Sequence, residues 1–258
     1  MKFGLCTTPD KAAELKQGTL DYIEMNLSNI QKMTDEALKE AKAKLDAIGT
    51  PAEAANGFFP ADVRLVGARY DKNKVAEYTK RALNNAAYLG IFTCVLGSSG
   101  ARNLEEGDDR TACLAQFEEA IAVAGDVAKT VGTTIALEPL NVREANYLNT
   151  VAEGADICRR VAHPNVLLLA DYFHVADSKE DLQVIVDNAD ILRHTHIADP
   201  IKRKYPLEGD GCEANYLAFA KALKDAKYEL RMSIEGGCPG EFVECTEKSI
   251  AYLRRLFA

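Results

Sequence analysis

Short apolar runs alternate with longer amphipathic stretches along the whole chain, and this alternation restricts the fold more than any other feature. Eight runs read as strands, at Lys2–Cys6, Tyr22–Leu27, Pro51–Phe59, Phe92–Gly97, Thr134–Glu138, Val166–Tyr172, Leu192–Ala198 and Leu230–Glu235. The stretches between and after them read as helices, at Asp10–Gln17, Thr34–Ala47, Asn73–Leu89, Asp109–Val131, Thr150–Val161, Lys179–Asp190, Asn215–Ala226 and Cys245–Phe257. Within Asp109–Val131, the residues Leu114, Phe117, Ile121, Val127 and Val131 make an apolar stripe, with Glu118, Glu119 and Lys129 mostly off it. Thr34 and Asp35 suit a helix start, and Gly90 and Gly132 stand where left-handed C-terminal caps belong. Val166-Leu-Leu-Leu-Ala170 is apolar throughout, as in a parallel sheet covered on both faces. The third run, alanine-rich and carrying Gly57, is the least strand-like.

Eight strand–helix pairs with no Pro/Gly/Ser-rich linker predict α/β architecture, and a chain of 258 residues matches the usual size of one closed barrel. The expectation is a single (β/α)8 TIM barrel spanning residues 1–258. No G-x-G-x-x-G follows the first strand, which removes the main support for a dinucleotide-binding sheet. The formal charge of −8 argues against nucleic acid as a partner. Seven scattered cysteines, never in a C-x-x-C pair, read as reduced thiols. The opening Met1-Lys-Phe-Gly-Leu-Cys6 has too short an apolar run for a signal peptide. Nothing approaches the ~20 consecutive apolar residues of a membrane span. A cytoplasmic protein with no membrane partner is expected.

Active sites of such barrels lie at the C-terminal ends of the strands. There the fifth strand ends in Glu138, the sixth in Asp171, the seventh carries His196 and the eighth ends in Glu235. One such carboxylate would be an ordinary buried ion-pair partner. Three crowded together are costly without a compensating cation. Carboxylate oxygens with one imidazole nitrogen suit Mn²⁺, Mg²⁺ or Co²⁺ better than a structural zinc.

The stretches Leu137-Glu-Pro-Leu-Asn-Val-Arg-Glu144, Ala170-Asp-Tyr-Phe-His174, His194-Thr-His-Ile-Ala-Asp199 and Ser233-Ile-Glu235 resemble the sugar isomerase/epimerase superfamily of xylose isomerase-like barrels. Within it the pattern is most similar to the ketose 3-epimerases. The resemblance implies that Glu138, Asp171, His196 and Glu235 hold one divalent ion, with Mn²⁺ favoured. It also implies that Glu138 and Glu235 move protons on opposite faces of a small-molecule sugar next to its carbonyl, through an enediolate. Glu144 and His174 match positions that bind substrate oxygens, and a homo-oligomer is implied. His194 faces the same side of its strand as His196 but deeper, which suggests a supporting or packing role.

The chain departs from that pattern after the seventh strand. Where the epimerases place Arg six residues after the metal-binding His, this chain has Lys202, with Arg203 next, and Tyr205-Pro-Leu-Glu-Gly-Asp-Gly211 replaces a short Pro-Gly-x-Gly turn. Lys202 and Arg203 are both candidate substrate contacts, and Lys202-Arg-Lys204 is a candidate anion clamp. With no Trp in the chain, a stacking floor would fall to Phe58, Phe59, Tyr147 or Phe173, each equally suited to core packing. Gly97-Ser-Ser-Gly100 reads as a turn. The altered loop leaves open a metal-dependent lyase, of the inosose dehydratase or C-glycoside-cleaving kind. A repair endonuclease like endonuclease IV would need a histidine-rich three-metal site, and this chain has four histidines. A sugar-binding barrel without catalysis is the remaining alternative.

Overall fold

The computed structural model describes residues 1–258. Eight strands run parallel and close in sequence order: β1 (Lys2–Cys6), β2 (Tyr22–Asn26), β3 (Ala52–Asn56), β4 (Thr93–Leu96), β5 (Thr134–Leu137), β6 (Val166–Asp171), β7 (Leu192–Ile197) and β8 (Arg231–Ile234). Closure is made by β8 on β1, where Lys2 pairs with Arg231 and Leu5 with Ile234. The helices are α1 (Pro9–Ala12), α2 (Leu27–Gln31), α3 (Asp35–Ile48), α4 (Lys72–Tyr88), α5 (Ser99–Arg102), α6 (Arg110–Val131), α7 (Val151–Val161), α8 (Tyr172–Asp177), α9 (Gln183–Asp187), α10 (Glu213–Asp225) and α11 (Phe242–Leu256). The expected α/β barrel is therefore present, and no helix is long and apolar enough to cross a membrane.

Local chemistry explains most boundaries. Thr34, Asp109 and Thr150 accept hydrogen bonds from first-turn amides, and Thr150 with Glu153 completes a reciprocal capping box. Gly132 ends α6 in the left-handed conformation, as the sequence predicts. Four segments differ from expectation. The third strand stops at Asn56, because Gly57 turns the chain at φ +63°. The first helix is a single turn, and the ninth covers only Gln183–Asp187 of the expected Lys179–Asp190. The sixth strand ends at Asp171, whose Oδ1 accepts the Phe173 amide at 2.9 Å and starts α8. Short α2, α5 and α8, absent from the sequence reading, follow β2, β4 and β6.

One continuous apolar core fills the space between strands and helices. It contains Leu5, Ile23, Ala55, Leu96, Leu137 and Ile234 from the strands, against residues such as Leu83, Phe117 and Phe219. Because strand side chains alternate, the next residues point into the barrel. There Val95, Ala136 and Leu169 form a small separate apolar cluster on β4 to β6. Tyr22, Glu24, His194 and Ser233 form a buried polar network across β2, β7 and β8. One side of the barrel interior is greasy and the other is wired with hydrogen bonds.

Helix α7 packs unusually close to the sheet. A Cβ on Gly154 would lie 2.8 Å from Pro139 Cγ and 2.9 Å from Leu168 Cδ1. Gly154→Ala gains helix propensity of ~1 kcal/mol, but overpacking of this kind costs about 1–3 kcal/mol. The variant should therefore be less stable than the parent in urea denaturation; equal or higher stability would show that the contact relaxes freely.

Candidate metal centre and active site

Four side chains converge just beyond the C-terminal ends of adjacent strands. Glu138 follows β5, Asp171 ends β6, His196 lies near the end of β7 and Glu235 follows β8. One ligand atom from each can be chosen so that all four lie within 4.8 Å of one another. Glu138, Asp171 and His196 are buried and Glu235 is half-buried. His196 Nδ1 lies 3.3 Å from Glu138 Oε1 and 3.4 Å from Glu235 Oε2. The amide of Glu138 donates to Leu96 O and that of Glu235 to Ile197 O, both at 3.1 Å, so each carboxylate springs from backbone still tied to the neighbouring strand.

The environment of the Glu138 carboxylate depends on Gly97. Any Cβ at Gly97 would collide with Glu138 Oε2, so the carboxylate rests against bare backbone. Glu235 is held from both sides, its Oε1 accepting Asn56 Nδ2 at 3.1 Å and its Oε2 accepting Arg203 Nη2 at 3.0 Å. Asp171 Oδ2 is buried and accepts no hydrogen bond.

The electrostatics point to a missing positive charge. Burial, with repulsion from Glu235, pushes the Asp171 carboxyl up to about 8. Burial and Glu235 raise Glu138 in the same direction. Burial works against charge on Glu235 too, but His196 and Arg203 hold it down near 2. His196 is likewise opposed by burial, yet Glu24 and Glu235 keep its proton far above the usual range. The residues fit a divalent cation: an unsatisfied buried oxygen aims into a ring of hard oxygen donors with one imidazole nitrogen.

His174 lies on α8 rather than at a strand end. Its Nδ1 faces the Asn141 amide at 3.2 Å and Asn141 Nδ2 at 2.9 Å. That bonding leaves the ring proton on Nε2, which is buried, has no hydrogen-bond partner and sits 3.4 Å from Asp171 Oδ2. Burial first, and Arg203 second, press its pKa down to about 3, so His174 is a neutral donor aimed at the site.

The loop after β7 places its two basic candidates differently. Arg203, at φ +52°, turns inward over the Phe173 ring, with its guanidinium carbon 4.8 Å from the ring centroid. Its Nη1 donates to Glu144 Oε1 at 2.7 Å, alongside the bond to Glu235. Lys202 is exposed and does not line the cavity, unlike the position expected of a substrate contact. The reason is backbone pairing: Asp199 N donates to Lys204 O, and Gly237 N to Arg203 O, both at 2.8 Å. That pairing aims Arg203 at the centre and leaves Lys202 and Lys204 exposed.

A cavity of about 290 Å³ opens above the quartet, lined among others by Asn56, Phe59, Ser98, Glu138, Glu144, Arg203 and Glu235. Phe59 reaches it, Phe173 lies under Arg203, and Phe58 and Tyr147 belong to the apolar core. Ser98, read from sequence as part of a turn, forms its wall and accepts the Phe59 amide at 2.9 Å. Sequence reasoning also missed Asn56, Asn141 and Glu24. Glu24 had a visible signal, a lone charge at an inward position of the otherwise apolar Tyr22-Ile-Glu-Met25. Its Oε1 contacts His196 Nε2 at 2.9 Å and its Oε2 His194 Nε2 at 2.8 Å. His194 thus sits below His196 as expected.

Stability should register the crowding. Asp171 ordinarily titrates near 3.8, so metal-free protein loses stability as pH rises from about 4 to about 8, where the folded form keeps a proton the unfolded form has released. A cation that binds the ionised form reverses this loss. The thermal stabilisation by added Mn²⁺ should therefore grow from pH 5 to pH 8 and level off above it; a stabilisation independent of pH would contradict the charge argument.

Comparison with known proteins agrees with this architecture. The family model described as "Xylose isomerase-like TIM barrel" matches residues 9–256. The chain is 26% identical over 229 residues to a 3-dehydro-D-guloside 4-epimerase of Escherichia coli K12, covering 84% of each. It is 29% identical over 202 residues to a 2-oxo-tetronate isomerase of Cupriavidus necator, covering 76% of this chain and 75% of the other. Among solved structures, a D-psicose 3-epimerase from Clostridium cellulolyticum H10 superposes with a TM-score of 0.85 at 18% identity, over 100% of this chain and 99% of that one. The chain is a member of the xylose isomerase-like TIM barrel family.

Proposed function

We propose that this protein is a metal-dependent sugar isomerase or epimerase that transfers a proton at the carbon next to a ketose carbonyl. The observation that carries the reading is the pairing of Glu138 and Glu235, two carboxylates from strands three places apart that face one cavity beside a cation-ready cluster. Relatives named as a 4-epimerase and an isomerase support the reaction class. Glu138, Asp171, His196 and Glu235 would hold the cation. Mn²⁺ is the favoured ion for three oxygens and one imidazole, with Mg²⁺ or Co²⁺ as alternatives. A cation bound there supplies positive charge that keeps the carboxylates ionised and offsets the negative charge developing on the substrate oxygens.

Each remaining step belongs to a side chain. One of Glu138 and Glu235, as a carboxylate, takes the proton from carbon, while the other, reaching the cavity from across the barrel and carrying a proton drawn from solvent, delivers it to the opposite face of the enediolate, and exchange with solvent then restores both groups. Glu138, the more buried, sits in the drier position suited to the first role. His174 donates Nε2–H to a substrate oxygen as a neutral imidazole. Arg203 and Glu144, bonded to each other at the mouth, bind further hydroxyls and orient the sugar. The assembly is a homo-oligomer on the same reading, to be measured by sedimentation.

The test is proton NMR of a ketose and keto-sugar panel in D₂O with Mn²⁺-loaded protein. Deuterium should enter at a carbon next to the carbonyl, and Glu138→Gln should slow this by ~10²-fold or more, the usual scale for a lost acid–base group. No exchange on any sugar would sink the proposal, while a product lighter by water would select the lyase. Arg203→Ala should lower kcat/KM at least tenfold and Lys202→Ala by less than twofold. The reverse order would show that the loop rearranges around substrate.

A further inference from the structure

We infer that Glu24, on β2, is a positioning residue that fixes the ring orientation and proton placement of His196 so that Nδ1 is presented to the cation. The inference rests on the metal-dependent reading above and extends it to a side chain outside the quartet.

The geometry is over-determined. Glu24 is 1% exposed, and both of its oxygens are engaged. Oε1 faces His196 Nε2 at 2.9 Å, while Oε2 faces His194 Nε2 at 2.8 Å and accepts Ser233 Oγ–H at 2.6 Å. Ser233 is in turn 2.7 Å from the Tyr22 hydroxyl. Three side chains from β7 and β8 thus clamp one carboxylate on β2. The rings of His194 and His196 meet edge to face, at 82° with centroids 5.1 Å apart.

The chemistry follows from the imidazole. A neutral ring has one N–H and one lone pair. With a cation at Nδ1, an ionised carboxylate against Nε2 would retain the one ring proton there and leave the lone pair on Nδ1, which is the atom facing Glu138 and Glu235. Without that acceptor the ring is free to place its proton on Nδ1, where it blocks ligation. Outer partners of this kind typically change metal affinity by about 10–100-fold when removed.

Cys6, Glu24 and His196 also lie close enough together to resemble a second ligand group. Both Glu24 oxygens already accept hydrogen bonds from neighbouring side chains, which favours the positioning role over ligation.

The experiment is a Mn²⁺ titration followed by the EPR signal of unbound Mn²⁺, on the parent, Glu24→Gln, Ser233→Ala, His194→Gln and Cys6→Ser, each checked for fold by circular dichroism. Glu24→Gln should bind Mn²⁺ at least tenfold more weakly. Ser233→Ala, which releases one restraint on Oε2 and is milder for folding, should bind several-fold more weakly. His194→Gln should lose thermal stability with a smaller change in affinity. A Glu24→Gln protein that folds and binds Mn²⁺ within twofold of the parent would overturn the inference. If Glu24→Gln does not fold, parental affinity in Ser233→Ala would overturn it instead. A loss in Cys6→Ser as large as that in Glu24→Gln would also overturn it, by pointing to a thiolate site. A parent that binds no Mn²⁺ would defeat the metal-dependent reading itself, and so is distinguishable from failure of the Glu24 role alone.

Discussion

Three carboxylates crowded around one imidazole at the C-terminal end of the barrel, all buried except the half-buried Glu235, govern the site and much of what surrounds it. Like charges at this spacing, shielded from solvent, cannot all ionise unless something positive lies between them. The protein supplies part of that charge itself. Arg203 reaches Glu235 at 3.0 Å and approaches Asp171 at 3.8 Å, and His196 contacts Glu138 and Glu235. The remainder is left unmet, as the raised Asp171 and Glu138 and the unbonded Asp171 Oδ2 show. Such a cluster has the donor set that the proposed divalent cation requires.

The barrel interior is divided to support that arrangement. Val95, Ala136 and Leu169 sit directly beneath the positions of Gly97, Glu138 and Asp171 and give those carboxylates an apolar floor. Opposite them, Tyr22, Glu24, His194 and Ser233 form a chain of hydrogen bonds leading up to His196. The dry side raises the cost of unpaired charge, and the wired side holds the His196 ring. Rigid strands set both, whereas Arg203, Glu144 and His174 come from the segments above them, which vary more readily than the strands.

Much of this was legible from residue order. The eightfold alternation and the strand-terminal Glu138, Asp171, His196 and Glu235 required only pattern and the rule that barrel sites lie at strand ends. Lys202 and Arg203 could not be separated, because the choice depends on how Arg203 and Lys204 pair with the segment after β8, a contact between distant parts of the chain. His174 carried the right spacing but the wrong element, since the Asp171 side chain caps a helix where the apolar run seemed to continue as strand. Glu24 was overlooked for a different reason. Attention to strand ends passes over a charge set one layer deeper, although a buried acid in an apolar strand always needs a partner.

The most direct measurement is anomalous diffraction at the manganese edge from crystals grown with Mn²⁺. The account predicts one strong peak per chain, enclosed by Glu138, Asp171, His196 and Glu235, with His196 bound through Nδ1 and Arg203 still beside Glu235. No peak among these four side chains, or a peak held by Cys6 and Glu24 instead, would contradict it.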